Sequence, residues 1–147
     1  MTVKIDGPKA IQLLRDVVRG REDHIDENSR TGSCAYGSMG DDSNPIPGCI
    51  VGHAVHAAGL PMRVLDLMDS LGSVTSVYDA LEEFKSGAVE DPEIVNEATE
   101  LGAELELTTT AAGIFRSAQD VQDHVGTWGE ALAAAEKRFD RIYNTEE

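Results

Sequence analysis

Residues 105–124 read LELTTTAAGIFRSAQDVQDH, and this stretch decides the fold. Leu105-Glu106-Leu107 alternates, as a short two-sided strand does. Thr108, Thr109 and Thr110 then supply hydroxyls suited to capping a helix start. Ala111, Ile114, Phe115, Ala118 and Val121 recur at helical spacing, which predicts an amphipathic helix reaching His124. Gly126 breaks it. Thr127-Trp128-Gly129-Glu130 is a Thr-x-x-Glu capping box, in which each side chain bonds the other residue's backbone N–H. Leu132, Ala135, Phe139 and Ile142 follow as the stripe of a last helix.

The same grammar recurs upstream. Pro8 suits an early helical position, and Ala10, Leu13, Leu14, Val17 and Val18 make the apolar face of a helix over residues 8–21. Pro47-Gly48 opens a helix from Cys49 to Ala58, closed by Gly59-Leu60-Pro61. Gly52 inside it predicts close packing against a neighbour. Helices are further expected over 62–70, from Ser73 or Thr75 to Ser86, and from Asp91-Pro92 to Leu101. A loop rich in Gly, Ser and Asp occupies residues 26–48, the longest irregular stretch. The predicted fold is mainly α: a compact single-domain helical bundle over residues 1–147, with a small β element around 33–37 and 105–107.

The chain has 147 residues, 12 Lys+Arg and 27 Asp+Glu, a formal charge of −15. Twelve of the acids and only one base, Lys85, lie in residues 64–115, a net −11. A surface of this sign disfavours direct nucleic-acid binding, which needs bases to meet phosphates. It suits either solubility or recognition of a basic partner. No run approaches the roughly 18 apolar residues of a membrane span, and the N-terminal residues lack a signal-peptide core. The expected location is the cytoplasm.

The order Cys34-Ala-Tyr36, Pro47-Gly-Cys49-Ile-Val-Gly-His53, Ala118-Gln119-Asp120-Val-Gln122-Asp123 and Gly126-Thr-Trp128-Gly129 resembles a group of small proteins encoded by actinobacteriophages. The resemblance covers most of residues 8–142. It implies a phage accessory protein acting in a bacterial host, and it carries no catalytic residues.

Two constellations have the composition of metal sites. Cys34, Cys49, His53 and His56 offer two thiols and two imidazoles, a donor set for tetrahedral zinc, although the spacing departs from zinc fingers. A Cys34–Cys49 disulfide is the other use of the pair, disfavoured by a reducing cytoplasm. Glu97 and Glu100 with Asp120 and Asp123 loosely resemble the magnesium site of all-helical nucleotide pyrophosphohydrolases, with Asp where that family has Glu. The opposing reading makes Gln119, Gln122 and Asp123 ties between helix ends and loops, and Cys49 a packed core residue.

The expected function is a non-catalytic accessory protein that binds a host protein, basic or DNA-binding, through an acidic surface that mimics nucleic acid. Glu90, Glu93, Glu97, Glu100 and Glu104 would form that surface, with Trp128 as an anchor and no obligatory cofactor. The alternatives are a magnesium- or manganese-dependent nucleotide hydrolase and a minor virion component. Ala- and Gly-rich helices also suit a homo-oligomer.

Overall fold

The computed structural model describes residues 2–25, 36–39, 45–87, 92–124 and 126–144. Strand β1 (Val3–Ile5) leads into α1 (Gly7–Val18), whose start is fixed by the Asp6 carboxylate accepting from Lys9 N–H and by Pro8 in its first turn. A hairpin of β2 (Gly37–Met39) and β3 (Pro45–Pro47) precedes α2 (Ile50–Ala57). Then follow α3 (Met62–Leu71), α4 (Val74–Ser86), α5 (Pro92–Gly102), β4 (Leu105–Leu107), α6 (Thr109–Asp123) and α7 (Trp128–Asn144). The mainly helical architecture with a small β element is as the periodicity predicts.

The β elements differ in detail. Residues 33–35 of the expected strand lie outside the described residues, and the observed strand starts at Gly37. Leu105–Leu107 is a strand, but its partner is β1, which lies in parallel beside it with Val3 opposite Leu105 and Ile5 opposite Leu107. Each of these strands runs into a capped helix, β1 through Asp6 into α1 and β4 through Thr108 into α6. The two strand–cap–helix units lie side by side, because α1 packs on α6 as β1 pairs with β4.

The core is one cluster. Ile5, Leu14, Ile50, Leu65, Leu101 and Phe115 are among its fully buried members, drawn from β1 and from five helices. The most extensive helix pairing is α6 with α7; α1 packs on α2, α6 and α7, and α6 also packs on α2 and α4. Helix α5 packs on α3, α4 and β4. No helix among the described residues is long and apolar enough to cross a membrane.

Candidate functional site

The short motifs converge on the start of α2. Two buried glutamines from α6 organise the convergence. Gln122 Oε1 accepts the Ile50 N–H at 2.7 Å, and its Nε2 donates to Asp123 Oδ1 at 3.3 Å. Gln119 Oε1 accepts the Val74 N–H at 3.0 Å, and its Nε2 donates to the Tyr36 hydroxyl at 3.1 Å. The two amides therefore satisfy N–H groups at the starts of α2 and α4 that no helical carbonyl can reach.

Tyr36 is held on every side. Its hydroxyl donates to the Gly72 carbonyl at 2.8 Å, its N–H donates to Asp69 Oδ1 at 2.7 Å, and its carbonyl accepts from Gly48 N–H at 2.8 Å. Burial pushes its phenol well above the ordinary tyrosine range, so it stays a neutral donor. The Tyr36 backbone rests directly on Gly52 of α2, the close packing that Gly52 predicts. Cys49 caps α2, its Sγ accepting from Gly52 N–H at 3.4 Å.

The Gly126–Gly129 motif docks on the opposite flank. Thr127 and Glu130 form both bonds of the capping box, Glu130 N–H to Thr127 Oγ1 at 3.1 Å and Thr127 N–H to Glu130 Oε1 at 3.0 Å. Trp128 N–H and Gly129 N–H donate to the carbonyls of His24 and Glu22, tying α7 to the segment after α1. The Trp128 indole lies under two imidazoles. His24 meets it edge-on at 4.4 Å between ring centroids and His53 at 5.1 Å. The expected anchor role for Trp128 is corrected here: the side chain is 1% exposed and presents no surface to a partner. Its Nε1 has no hydrogen-bond partner among the described residues.

His53 is lowered to about 4, first by burial and then by the charges of Arg21, His24 and His56. It is therefore a neutral ring at neutral pH. The unfolded chain takes up this proton near the ordinary pKa of about 6.5, whereas the folded chain resists until about 4. His53 thus contributes stability above pH 6.5 that is lost as pH falls toward 4. The ring keeps partial contact with solvent, which reduces the expected loss to roughly 1–2 kcal/mol. Urea midpoints of the protein and of His53→Gln, measured at pH 7 and pH 4.5, check this. The variant should lose less stability between the two, and equal losses would refute the assignment.

The described members of the two expected metal constellations lie apart or are engaged elsewhere. Cys34 lies outside the described residues, and Cys49 is disulfide-bonded, which corrects the expectation that a disulfide is disfavoured, so Cys49 offers no thiolate. His56 Nδ1 is 3.0 Å from the Leu60 carbonyl, and His53 faces Trp128. Glu97 and Glu100 sit on α5, while Asp120 and Asp123 sit on α6. Asp120 instead pairs with Arg116 Nε at 2.9 Å, and Asp123 takes the Gln122 amide. Among the described residues no three His, Cys, Asp or Glu side chains are grouped to hold an ion.

The residues expected to form the acidic surface lie on α5 or beside it in sequence. Glu90 lies outside the described residues, Glu93 lies on α5, and Glu104 follows that helix. Arg63 pairs with Glu104, and Lys85 lies 3.7 Å from Glu82 and 3.6 Å from Glu106. Glu97 and Glu100 have no ion pair among the described residues. Between α3 and α5 lies an open depression of about 700 Å3, lined by Asp66, Glu100, Glu104, Arg63 and Ser70. Comparison with known protein families, with curated proteins and with solved structures found no match.

Proposed function

We propose that this chain is a non-catalytic bacteriophage accessory protein that binds and modulates a host bacterial protein through the acidic face of α3 and α5. The observation that carries this reading is the α3–α5 depression. It has three carboxylates, one arginine already paired with one of them, and room for a basic side chain of a partner. The motif residues support the same reading by elimination of surplus chemistry, since Gln119, Gln122 and Tyr36 are committed to holding helix ends. The resemblance to actinobacteriophage proteins supports the phage setting. In this reading the carboxylates stand where phosphates would stand on nucleic acid, and the partner is a basic, DNA-binding host protein.

Charge of this kind speeds and orients association and is screened by salt. Retention of a host protein on the immobilised chain should fall at least about tenfold when Glu97, Glu100 and Glu104 are changed to glutamine, a difference of about 1.4 kcal/mol. It should fall comparably between 50 and 500 mM salt. Retention unchanged by both would remove the acidic face from the contact.

A further inference from the structure

Residues 20–25 form a clasp over the start of α7. Gly20 ends α1 with a φ of +79° and nothing within 4 Å of where a Cβ would stand, so the chain is free to pivot there. Beyond the pivot, Trp128 N–H donates to the His24 carbonyl at 2.8 Å and Gly129 N–H to the Glu22 carbonyl at 2.9 Å. Neither amide has a helical acceptor, because both lie in the first turn of α7. The His24 ring meets the Trp128 indole from the clasp, and His53 meets the same indole from α2. Every residue from Arg21 to Ile25 is exposed, whereas α2 is anchored by Ile50, Val51, Ala54 and Val55, all fully buried. The segment, not the helix, is therefore the part that yields first.

Two features load the clasp. The first is charge. Arg21 and His24 of the clasp and His56 of α2 all oppose a proton on the His53 ring. The carboxylates on neighbouring elements are engaged. Glu22 Oε1 accepts the Gly20 N–H, Glu130 is held in the capping box, Asp69 accepts the Tyr36 N–H and Asp123 takes the Gln122 amide. Asp23 lies exposed to solvent. The second feature is the Trp128 Nε1–H, buried and without an acceptor among the described residues. A buried donor in this state gains from any motion that brings water to it.

We propose that the His24–Trp128–His53 stack is an acid-operated clasp: a proton taken up by His53 swings residues 21–25 away from α7 about Gly20 and uncovers Trp128, while the helical body stays folded. In the closed clasp the new charge sits beside Arg21, His24 and His56. An indole attracts one cation, and the mutual repulsion of several in a partly buried space outweighs that attraction. Opening carries Arg21 and His24 away and leaves His56 alone beside the charged ring. His53 takes its proton near 6.5 when uncovered and near 4 when covered, so acid favours the open form at pH 4.5 by tens of times and hardly at all at pH 7. Partial solvent contact of the ring reduces this, and a shift of at least about tenfold is expected. The clasp shares no residue with the acidic face of α3 and α5, so either proposal can fail without the other.

Trp128 is the only tryptophan, so its emission reports this site alone. Between pH 7 and pH 4.5 the emission of the full chain should shift to the red and become open to quenching by acrylamide, with far-ultraviolet circular dichroism unchanged. Hydrogen exchange, corrected for its intrinsic pH dependence, should show protection of the Trp128 and Gly129 amides falling at least about tenfold, while that of Phe115 in α6 holds. Arg21→Gln, on the exposed segment, removes one repelling charge and should move the emission change to lower pH. His53→Gln should stay closed across the range. The proposal is overturned if Trp128 stays shielded at pH 4.5, or if Phe115 loses protection together with Trp128, which would be unfolding of the whole body. It is equally overturned if Arg21→Gln leaves the midpoint unmoved, or if His53→Gln opens at the same pH as the parent.

Discussion

Gly52→Ala is expected to destabilise the protein by about 3 kcal/mol or more, the upper range for overpacking a core. A β-carbon there would overlap the Tyr36 carbonyl oxygen and lie 2.8 Å from its carbon and 2.9 Å from its Cα. The obstacle is backbone, and it is pinned. Tyr36 N–H is bonded to Asp69, its carbonyl to Gly48 N–H, and its hydroxyl to Gly72 and Gln119. The helix cannot retreat either, because Gln122 holds the Ile50 N–H and Cys49 caps the first turn. Alanine is the better helix former by about 1 kcal/mol, so the clash has to exceed that gain before any loss is seen. Gly113→Ala is the matched control. Its new methyl meets only the far end of the exposed Arg138 side chain, at 3.0 Å, which can swing aside. A lower urea midpoint for Gly52→Ala beside an unchanged or raised one for Gly113→Ala is the expected pair of results. If Gly52→Ala were as stable as the parent, Tyr36 would not lie where the structure places it.

What the sequence makes legible follows from the range of the interactions involved. Helix starts are local. Thr127 and Glu130, three residues apart, form the bonds their spacing predicts, and Thr108 caps α6 through Ala111 N–H. Apolar periodicity likewise finds every helix among the described residues; the buried stripes share Ala10, Leu14 and Val18 in α1 and Ala111, Ile114, Phe115 and Ala118 in α6 with the predicted ones, whereas Ile11 is buried without being predicted and Leu13, Val17 and Val121 are only partly buried. Strand β1 carries no such signal. Val3–Ile5 is only three residues long, and its partner β4 lies a hundred positions away. Its pairing is a tertiary event, and short isolated strands have no independent stability. The carboxylates of the expected magnesium constellation lie on separate helices for a related reason. Periodicity places Glu97 with Glu100 and Asp120 with Asp123 on helix faces, but it does not say that α5 packs on α3, α4 and β4 while α6 packs on α1, α2, α4 and α7. The glutamines lie between these cases. Their polar character inside an apolar stripe marks them as ties, yet the identity of Val74, Ile50 and Tyr36 as partners is fixed only by the packing of four separate segments. His24 is the residue that sequence leaves out altogether. It reaches Trp128 from the segment after α1, and nothing near it in the chain marks a ring contact.

Gln119→Leu is expected to cost about 2–4 kcal/mol, although leucine nearly matches the volume and raises hydrophobicity. The loss arises because the substitution removes one partner from each of two bonds and leaves the others buried. Val74 N–H, at the start of α4, loses its acceptor, and the Tyr36 hydroxyl loses the Gln119 amide while keeping its bond to Gly72. An orphaned buried donor costs about 1–3 kcal/mol, more than the intact bond contributes, since water cannot reach it. Gln119 is itself 2% exposed, so the site cannot be rescued by solvent. Tyr36→Phe separates the two bonds. It removes the hydroxyl alone, which keeps Val74 satisfied but leaves the buried Gln119 Nε2–H and the Gly72 carbonyl without this partner, so its cost should be comparable to that of Gln119→Leu. The double variant should then cost clearly less than the two singles together, as members of one network do. Chemical denaturation of the four proteins gives this coupling directly. Additivity within a few tenths of a kcal/mol would show that Gln119 and Tyr36 act independently. The convergence of α2, α4 and α6 would then rest on apolar packing, with the amides as passengers.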